Sequence, residues 1–312
     1  MRLLMLGAGG VGGYFGARLH EGGADVTFLV RAKRATLLRE RGLRIYGVRG
    51  EFQIRPNLLI SGESSNQAFD AVIVSCKAYD LDSSIDAIRP YVGATTLVLP
   101  LLNGLKHLDT LDAAFGKDRV LGGLAQVSTT IDANGDIKQI TDTQNIFFGA
   151  RSAAQDARAE QLETTLKLGG FEARLSRDIL LEMWEKFVLL TSLAGMTCLM
   201  RGTVGEIAAT QDGIQLMSRM LDDCAAVAKA AGNMPRDKYF SSIRGVLTQT
   251  GSPLAASMRR DLEAGGRTEA DHIVGDMLKR ADEAGIDSPL LRAAYCHLQV
   301  HAEKKRVADS GR

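Results

Sequence analysis

Six residues near the amino terminus, Gly7-Ala8-Gly9-Gly10-Val11-Gly12, place glycine in the spacing G-x-G-x-x-G. They follow a short apolar run, Leu3–Leu6, and open a stretch of helical composition reaching about His20. In that setting each glycine has its own duty. The first makes a tight turn, the second lets a pyrophosphate approach the backbone, and the third lets helix and strand pack closely. The helix start then offers unpaired N–H groups and a positive dipole to phosphate. The loop is read as a dinucleotide site contacted by Gly7, Ala8, Gly9, Gly10, Val11 and Gly12. A flexible glycine-rich turn is the alternative the pattern alone leaves open.

The second apolar run, Asp25–Val30, ends in Val30-Arg31-Ala32-Lys33-Arg34. An NAD site usually places Asp or Glu here to accept from the ribose 2′-OH. This chain offers cations instead, so Arg31, with Lys33 or Arg34 beside it, suits the 2′-phosphate of NADP(H). A solvated basic loop is the plainer alternative. Two more polar residues follow apolar runs: Lys77 after Ala71–Cys76, and Asn103-Gly104 after Thr96–Leu99. Ligands of open parallel sheets bind outside the carboxyl ends of strands, which is where both would lie. Lys77 could meet phosphate, ribose or an anionic substrate, and the Asn103 amide can donate and accept. A surface lysine and a turn-capping asparagine would look the same.

Lys186 is conspicuous for its surroundings. From Asp178 to Met200 the charged residues are Asp178, Glu182, Glu185 and Lys186, and the rest is apolar nearly all round. Such a helix is buried on most sides. A desolvated lysine has a lowered pKa and can act as general acid or base. An ion pair with Glu182, one turn earlier, or snorkelling past Trp184 would explain the same residue without catalysis.

These residues need elements to hold them. With roughly 150 residues per domain as a prior, 312 residues suit two domains. Up to about residue 175, brief apolar runs alternate with helical stretches, the pattern of a parallel sheet with helical crossovers. Later runs at Ala125–Ile131, Asp136–Ile140 and Asn145–Phe148 come close together, with Asn134-Gly135 marking a hairpin, so the sheet is expected to end in antiparallel strands. Residues 178–231 and 253–306 are helical in composition. Pro235, Pro253 and Pro289 fall where helices could begin, and Ala308–Arg312 is expected to fray. The reading is α/β: a Rossmann-type dinucleotide-binding domain over 1–175, followed by an all-helical domain over 176–312.

Composition excludes several classes. Lys+Arg at 38 against Asp+Glu at 37 leaves no excess positive charge for nucleic acid, and 5% aromatics gives few stacking platforms. The uncharged start, Leu3–Ala17, imitates a signal peptide, but its six glycines make a poor helical core for one. The longest other apolar stretch, Phe187–Met200, is shorter than the ~20 residues that cross a bilayer. Cys76, Cys198, Cys224 and Cys296 are scattered without zinc-ligand spacing. A cytoplasmic protein without a metal site is expected. Apolar faces of the helical part could serve its own packing or a homodimer.

Taken together, the motifs resemble the ketopantoate reductase (2-dehydropantoate 2-reductase) family from Met1 to about Val300. Beyond the glycine loop, they are Cys76-Lys77-Ala78-Tyr79, Leu102-Asn103-Gly104, Leu181-Glu182-Met183-Trp184-Glu185-Lys186, Ser257-Met258 and Arg267-Thr268-Glu269-Ala270-Asp271. The resemblance implies NADPH-dependent reduction of a 2-oxo acid, by default ketopantoate to pantoate in pantothenate synthesis. It implies Lys186 as the general acid and Glu269 as its active-site partner. Lys77 and Asn103 would lie near cofactor and substrate, and Ser257 would contact substrate. By themselves, Ser257 and Glu269 would pass for a helix cap and a solvated face. One departure stands out. The family's two asparagines, four and eight residues beyond the lysine, are replaced by Leu190 and Ala194. That points to a more apolar 2-oxo or 2-hydroxy acid as the alternative substrate. A non-catalytic NADP(H)-sensing protein is the alternative of another class.

Overall fold

The structure, a computed structural model, describes residues 1–63 and 68–310. Two compact units make up the chain: Met1–Leu102 with His107–Ile179, and Asn103–Lys106 with Leu180–Arg312.

The first unit opens with β1 (Arg2–Leu6), α1 (Gly10–Glu21), β2 (Asp25–Val30), α2 (Ala32–Arg41), β3 (Leu43–Gly47), β4 (Gly50–Ile54) and β5 (Asn57–Ile60). It continues through β6 (Ala71–Val74), α3 (Leu81–Ile88), β7 (Leu97–Pro100), α4 (Lys106–Phe115, whose first residue belongs to the second unit), β8 (Gly122–Ile131), β9 (Ile137–Gly149), α5 (Asp156–Leu166) and β10 (Glu172–Leu175). Five strands form a parallel sheet in the order β5-β2-β1-β6-β7. The chain starts at the middle strand and winds outward in both directions. That reversal is the switch point where doubly wound sheets bind ligands. Leu3, Leu4 and Met5 of β1 are fully buried, as a central strand covered on both faces requires.

The later strands, expected from the sequence to end this sheet, do not extend it. They form a second one, β10-β9-β3-β4, with β8 paired to β9. The runs at 136–140 and 145–148 are parts of one thirteen-residue strand, β9. β9 takes β8 antiparallel at Ile137–Gln139 and again at Gln144–Gly149 across a register shift, β3 parallel at Ile137–Gln139 and β10 parallel at Asn145–Phe148. The polar stretch Thr141–Gln144 masked this continuity in the sequence. The hairpin at Asn134-Gly135 is present. Asp132 Oδ1 accepts from the backbone N–H groups of Asn134 (2.9 Å) and Asp136 (3.0 Å), and Gly135 takes a φ of 82°. Two boundaries also differ. β6 ends at Val74, leaving Ser75 and Cys76 in the loop beyond it, and β7 runs one residue further, to Pro100.

The second unit holds α6 (Ile179–Leu199), whose first residue belongs to the first unit, then α7 (Val204–Ala208), α8 (Gly213–Ala230) and α9 (Asp237–Leu247). α10 (Ser257–Glu263), α11 (Ala270–Glu283) and α12 (Pro289–Ser310) complete it. No strand occurs in it among the described residues. Pro289 starts α12 as its fixed φ favours. Pro235 and Pro253 start nothing. α9 begins at Asp237, and Pro253 sits in an extended segment whose flanking carbonyls, Ser252 and Leu254, accept from Gly205 and Val204 at the start of α7. Ala308–Ser310 are helical rather than frayed, while 311–312 lie outside the described residues. Gly195 lets α6 come close to α8 and α12, since a Cβ there would stand 3.2 Å from Met220 Cε and 3.7 Å from Ala294 Cβ. Cys198 and Cys224 are buried and free, whereas Cys296 is exposed.

Phe148, fully buried in β9, belongs to the core of the first unit with Tyr14, Phe15, Phe28 and Phe171. Phe148→Ala is expected to lower stability by about 3–5 kcal/mol, read as a shift of the urea midpoint at unchanged slope. A loss below ~1 kcal/mol would place Phe148 outside the packed core.

Candidate active site

In the first unit the glycine loop has the geometry its spacing anticipates. Gly7 turns the chain with a φ of 81°, which side-chain-bearing residues rarely adopt. Its N–H donates to the Leu29 carbonyl at 2.8 Å, tying the loop to the end of β2. A Cβ at Gly12 would overlap Ser75 Oγ and press on the Gly7 carbonyl at 3.2 Å, so α1 can approach β1 only through glycine. At Gly9, by contrast, a Cβ would meet nothing within 4 Å. Gly9 caps α1 without a side-chain bond, and the first turn carries no acid. The N–H groups there face no competing carboxylate of their own turn, which is what a phosphate requires.

Around this loop stand the cations. Arg31 caps α2, its side chain 78% exposed and 4.0 Å from Asp80. Lys77 is exposed just past β6, at the N-cap of a single 3₁₀ turn, Ala78–Asp80. Arg34 was the less favoured of the basic residues at sequence level, yet it lies nearest the loop. Its Nη2 donates to the Ala8 carbonyl at 3.1 Å. Helical periodicity from Arg31 reveals that Arg34 shares its side of α2, but nothing in it reveals the loop contact.

The second unit gathers the proton-transfer candidates. Lys186 is part-buried on α6, and burial pulls its ammonium down to about 8 while the Glu269 carboxylate pushes the other way. Glu269 is 7% exposed at the N-cap of α11. Asn103, half-buried, belongs to this unit. The next residue, Gly104, has a φ of 80° and lies so close to α11 that a Cβ would stand 2.6 Å from the His272 carbonyl and 3.8 Å from Phe187. The Asn103-Gly104 turn is therefore packed between the residue after Lys186 and the third residue after Glu269. Ser257, exposed, opens α10, and among the described residues no hydrogen bond or ion pair joins it to Lys186 or Glu269. Leu190 is part-buried and Ala194 is 3% exposed, four and eight residues along α6 on the face of Lys186.

Glu185 was missed as a functional position. Only 2% exposed, it accepts from the Arg236 backbone N–H at 3.0 Å and from Nε at 2.8 Å, with a further contact from Nη2. These charge-assisted bonds tie α6, one residue before Lys186, to the start of α9. The sequence signal was a lone acid beside Trp184 on an otherwise apolar turn, which pointed to a partner without saying which. His272 lies on α11, three residues after Glu269. Its Nδ1 is buried without a hydrogen-bond partner, and burial lowers its pKa.

A profile of the ketopantoate reductase PanE/ApbA family matches residues 3–153, and one of its C-terminal part matches residues 178–302. The chain belongs to the ketopantoate reductase family. It is 34% identical over 307 residues to an uncharacterized oxidoreductase of Bacillus subtilis (strain 168), YkpB, spanning 98% of this chain and 100% of that one. The 2-dehydropantoate 2-reductase of Halobacterium salinarum is 28% identical over 294 residues, 94% of this chain and 96% of its own. Among solved structures, the 2-dehydropantoate 2-reductase of Geobacter metallireducens GS-15 matches with a TM-score of 0.86 at 26% identity, covering 96% and 99% of the two chains. A D-mandelate dehydrogenase solved with NADH and anilino(oxo)acetate reaches 0.87 at 20% identity, covering 98% and 99%, a likeness of fold. The protein is thus an oxidoreductase of the ketopantoate reductase family, and no helix among its described residues is long and apolar enough to cross a membrane.

Because Glu269 holds the Lys186 pKa up against burial, Glu269→Gln is expected to move the lysine midpoint further below about 8. Titration of the Lys186 Cε signal by NMR reads this directly. A midpoint that stays put or rises would remove Glu269 from the electrostatics of the lysine.

Proposed function

We propose that this protein is an NADPH-dependent reductase of a 2-oxo acid, with 2-dehydropantoate as the default substrate and Lys186 as the general acid. The observation that carries the reading is the pairing, on the helical unit, of a part-buried lysine brought to about 8 with a buried glutamate that opposes the shift. An ammonium with a pKa near working pH gives up a proton readily and is still largely protonated at neutral pH. Relatives named 2-dehydropantoate 2-reductase, such as that of Halobacterium salinarum at 28% identity, support the substrate class.

The cofactor reading rests on Gly7, Gly9 and Gly12, whose separate geometries suit a pyrophosphate at the start of α1. Gly10 and Val11 open that helix, and Ala8 precedes its N-cap, Gly9. Bound NADPH would supply hydride to the carbonyl carbon. Lys186 Nζ would donate its proton to the oxygen as negative charge develops there, removing the cost of a free alkoxide. Glu269 keeps the lysine protonated before the step. Asn103 can both donate to a carbonyl oxygen and accept from a hydroxyl, and Lys77 offers a cation to phosphate or to the substrate carboxylate. Arg31 in place of an acid at the end of β2 favours the 2′-phosphorylated cofactor. Ser257 is proposed as a substrate contact on family resemblance.

A second substrate reading has an observation of its own. Leu190 and Ala194 present hydrocarbon on the Lys186 face of α6, with Ala194 3% exposed. A site that hydrogen-bonds a substrate hydroxyl rejects analogues lacking it far better than an apolar one can. A face without amides therefore favours a 2-oxo acid with a hydrocarbon substituent, or the corresponding 2-hydroxy acid in the oxidative direction.

NADPH oxidation followed at 340 nm with ketopantoate and a panel of 2-oxo acids tests both readings. Strong selectivity for ketopantoate supports the default, and a better apolar substrate supports the second. Silence across the panel, with cofactor binding intact, would leave a sensor. Lys186→Ala is expected to lower turnover by about 10²–10⁴-fold at little change in NADPH affinity. The proton donor is the charged lysine, so kcat/KM for reduction should fall as pH rises through about 8, while oxidation of the hydroxy acid should rise through the same range. A flat profile in both directions would remove Lys186 as the acid.

A further inference from the structure

Glu269 acts on Lys186 from just beyond a pair of glycines, Gly265-Gly266, that ends α10. The Gly266 N–H donates to the Asp261 carbonyl at 2.8 Å and the Gly265 N–H to the Leu262 carbonyl at 3.1 Å. With Gly265 at a φ of 65°, this is a Schellman turn. Adjacent glycines give a backbone its widest freedom, and ordering it costs entropy. Glu269 follows three residues after Gly266, as the N-cap of α11, and its side chain does not cap that helix. The place of its carboxylate is therefore inherited from the backbone of residues 266–271. That backbone needs anchors.

α12 supplies one on each side of Glu269. His301 Nε2 lies 2.9 Å from the Gly266 carbonyl oxygen. A carbonyl can only accept, so Nε2 carries the hydrogen. Two residues past Glu269, Asp271 Oδ1 accepts from the Tyr295 hydroxyl at 2.8 Å. Burial and this bond push that hydroxyl up to about 12, so it keeps its proton at neutral pH. Gly275 lets α11 lie close to the same residue, since a Cβ there would stand 2.8 Å from the Tyr295 ring. Both bonds are tertiary, spanning 35 and 24 positions, and both reach a segment of six residues with Glu269 inside it.

We propose that His301 and Tyr295 are positioning residues for proton transfer, which together clamp the Gly266–Asp271 segment and so hold Glu269 where it sustains the charge of Lys186. This deepens, and rests on, the reading of Lys186 as general acid. Coulomb attraction falls with distance. A segment released from α12 lets the carboxylate drift, and the lysine is left more nearly to the effect of burial alone. α12, which carries none of the candidate catalytic groups, then acts on the chemistry through the backbone of its neighbour.

The test is the Lys186 midpoint, read from its Cε signal by NMR, in the full chain and in His301→Leu, His301→Gln and Tyr295→Phe. Leucine removes the donor to Gly266, whereas glutamine keeps an N–H. Tyr295→Phe removes a single oxygen and keeps the test decisive if His301→Leu does not fold. His301→Leu and Tyr295→Phe should each move the midpoint below about 8, by less than Glu269→Gln does, and His301→Gln should restore it. In a Glu269→Gln background neither should move it further, because residues that act through one group are not additive. Turnover of ketopantoate should fall by up to about 10²-fold in His301→Leu, with KM for NADPH unchanged. A midpoint that stays put in both single variants, or that shifts equally with and without Glu269, would overturn the clamp. Full turnover by Lys186→Ala would instead overturn the general-acid reading, a separate result because the midpoint needs no turnover.

Discussion

Burial strips the Lys186 ammonium of part of its hydration, and the nearby Glu269 carboxylate returns part of that loss as Coulomb attraction. A lysine left to burial alone would discharge and could not donate, and one left in water would hold its proton too tightly to release it. The surrounding helices serve this balance. α6 is apolar enough to desolvate the amine, and α11 begins where its N-cap glutamate can act on it. Glu185, one residue before the lysine, is bonded by Arg236 and ties α6 to the start of α9.

The first unit answers a different constraint, which is steric. A phosphate must come close to backbone N–H groups at the start of α1, and α1 must therefore lie close to β1. Gly12, whose Cβ would overlap Ser75, makes that approach possible, and Gly7 supplies the turn leading into it. The second sheet presses on the same helix. A Cβ at Gly10 would stand 2.7 Å from Thr129 Oγ1 on β8. Rigidity around the loop therefore comes from both sheets, although the parallel one alone carries the doubly wound topology.

Membership of the ketopantoate reductase family and the retained lysine and glutamate speak for chemistry of a common type, whereas Leu190 and Ala194 speak for a different fit to the substrate. The two statements are compatible. Proton transfer depends on a charge pair, and selection depends on which polar groups of the substrate find partners when water is removed.

The sequence by itself determined the elements whose signals are local. The glycine spacing after Leu3–Leu6, the buried strands at both ends of α1, the all-helical texture after residue 178 and the odd lysine in α6 were all legible, because turn geometry and hydrophobic periodicity act over a few residues. Only the tertiary structure decided what depends on distant partners. It joined two short runs into β9, because the strand is held by pairing with β8 on both sides of the polar stretch Thr141–Thr143 and not by apolar content. It set β3 and β4 beside β9 in the second sheet, placed Arg34 rather than Arg31 on the Ala8 carbonyl, and paired Glu185 with a residue 51 positions away. A side chain's type shows what it can do, while its charge state and direction are set by burial and neighbours that only the folded chain assembles.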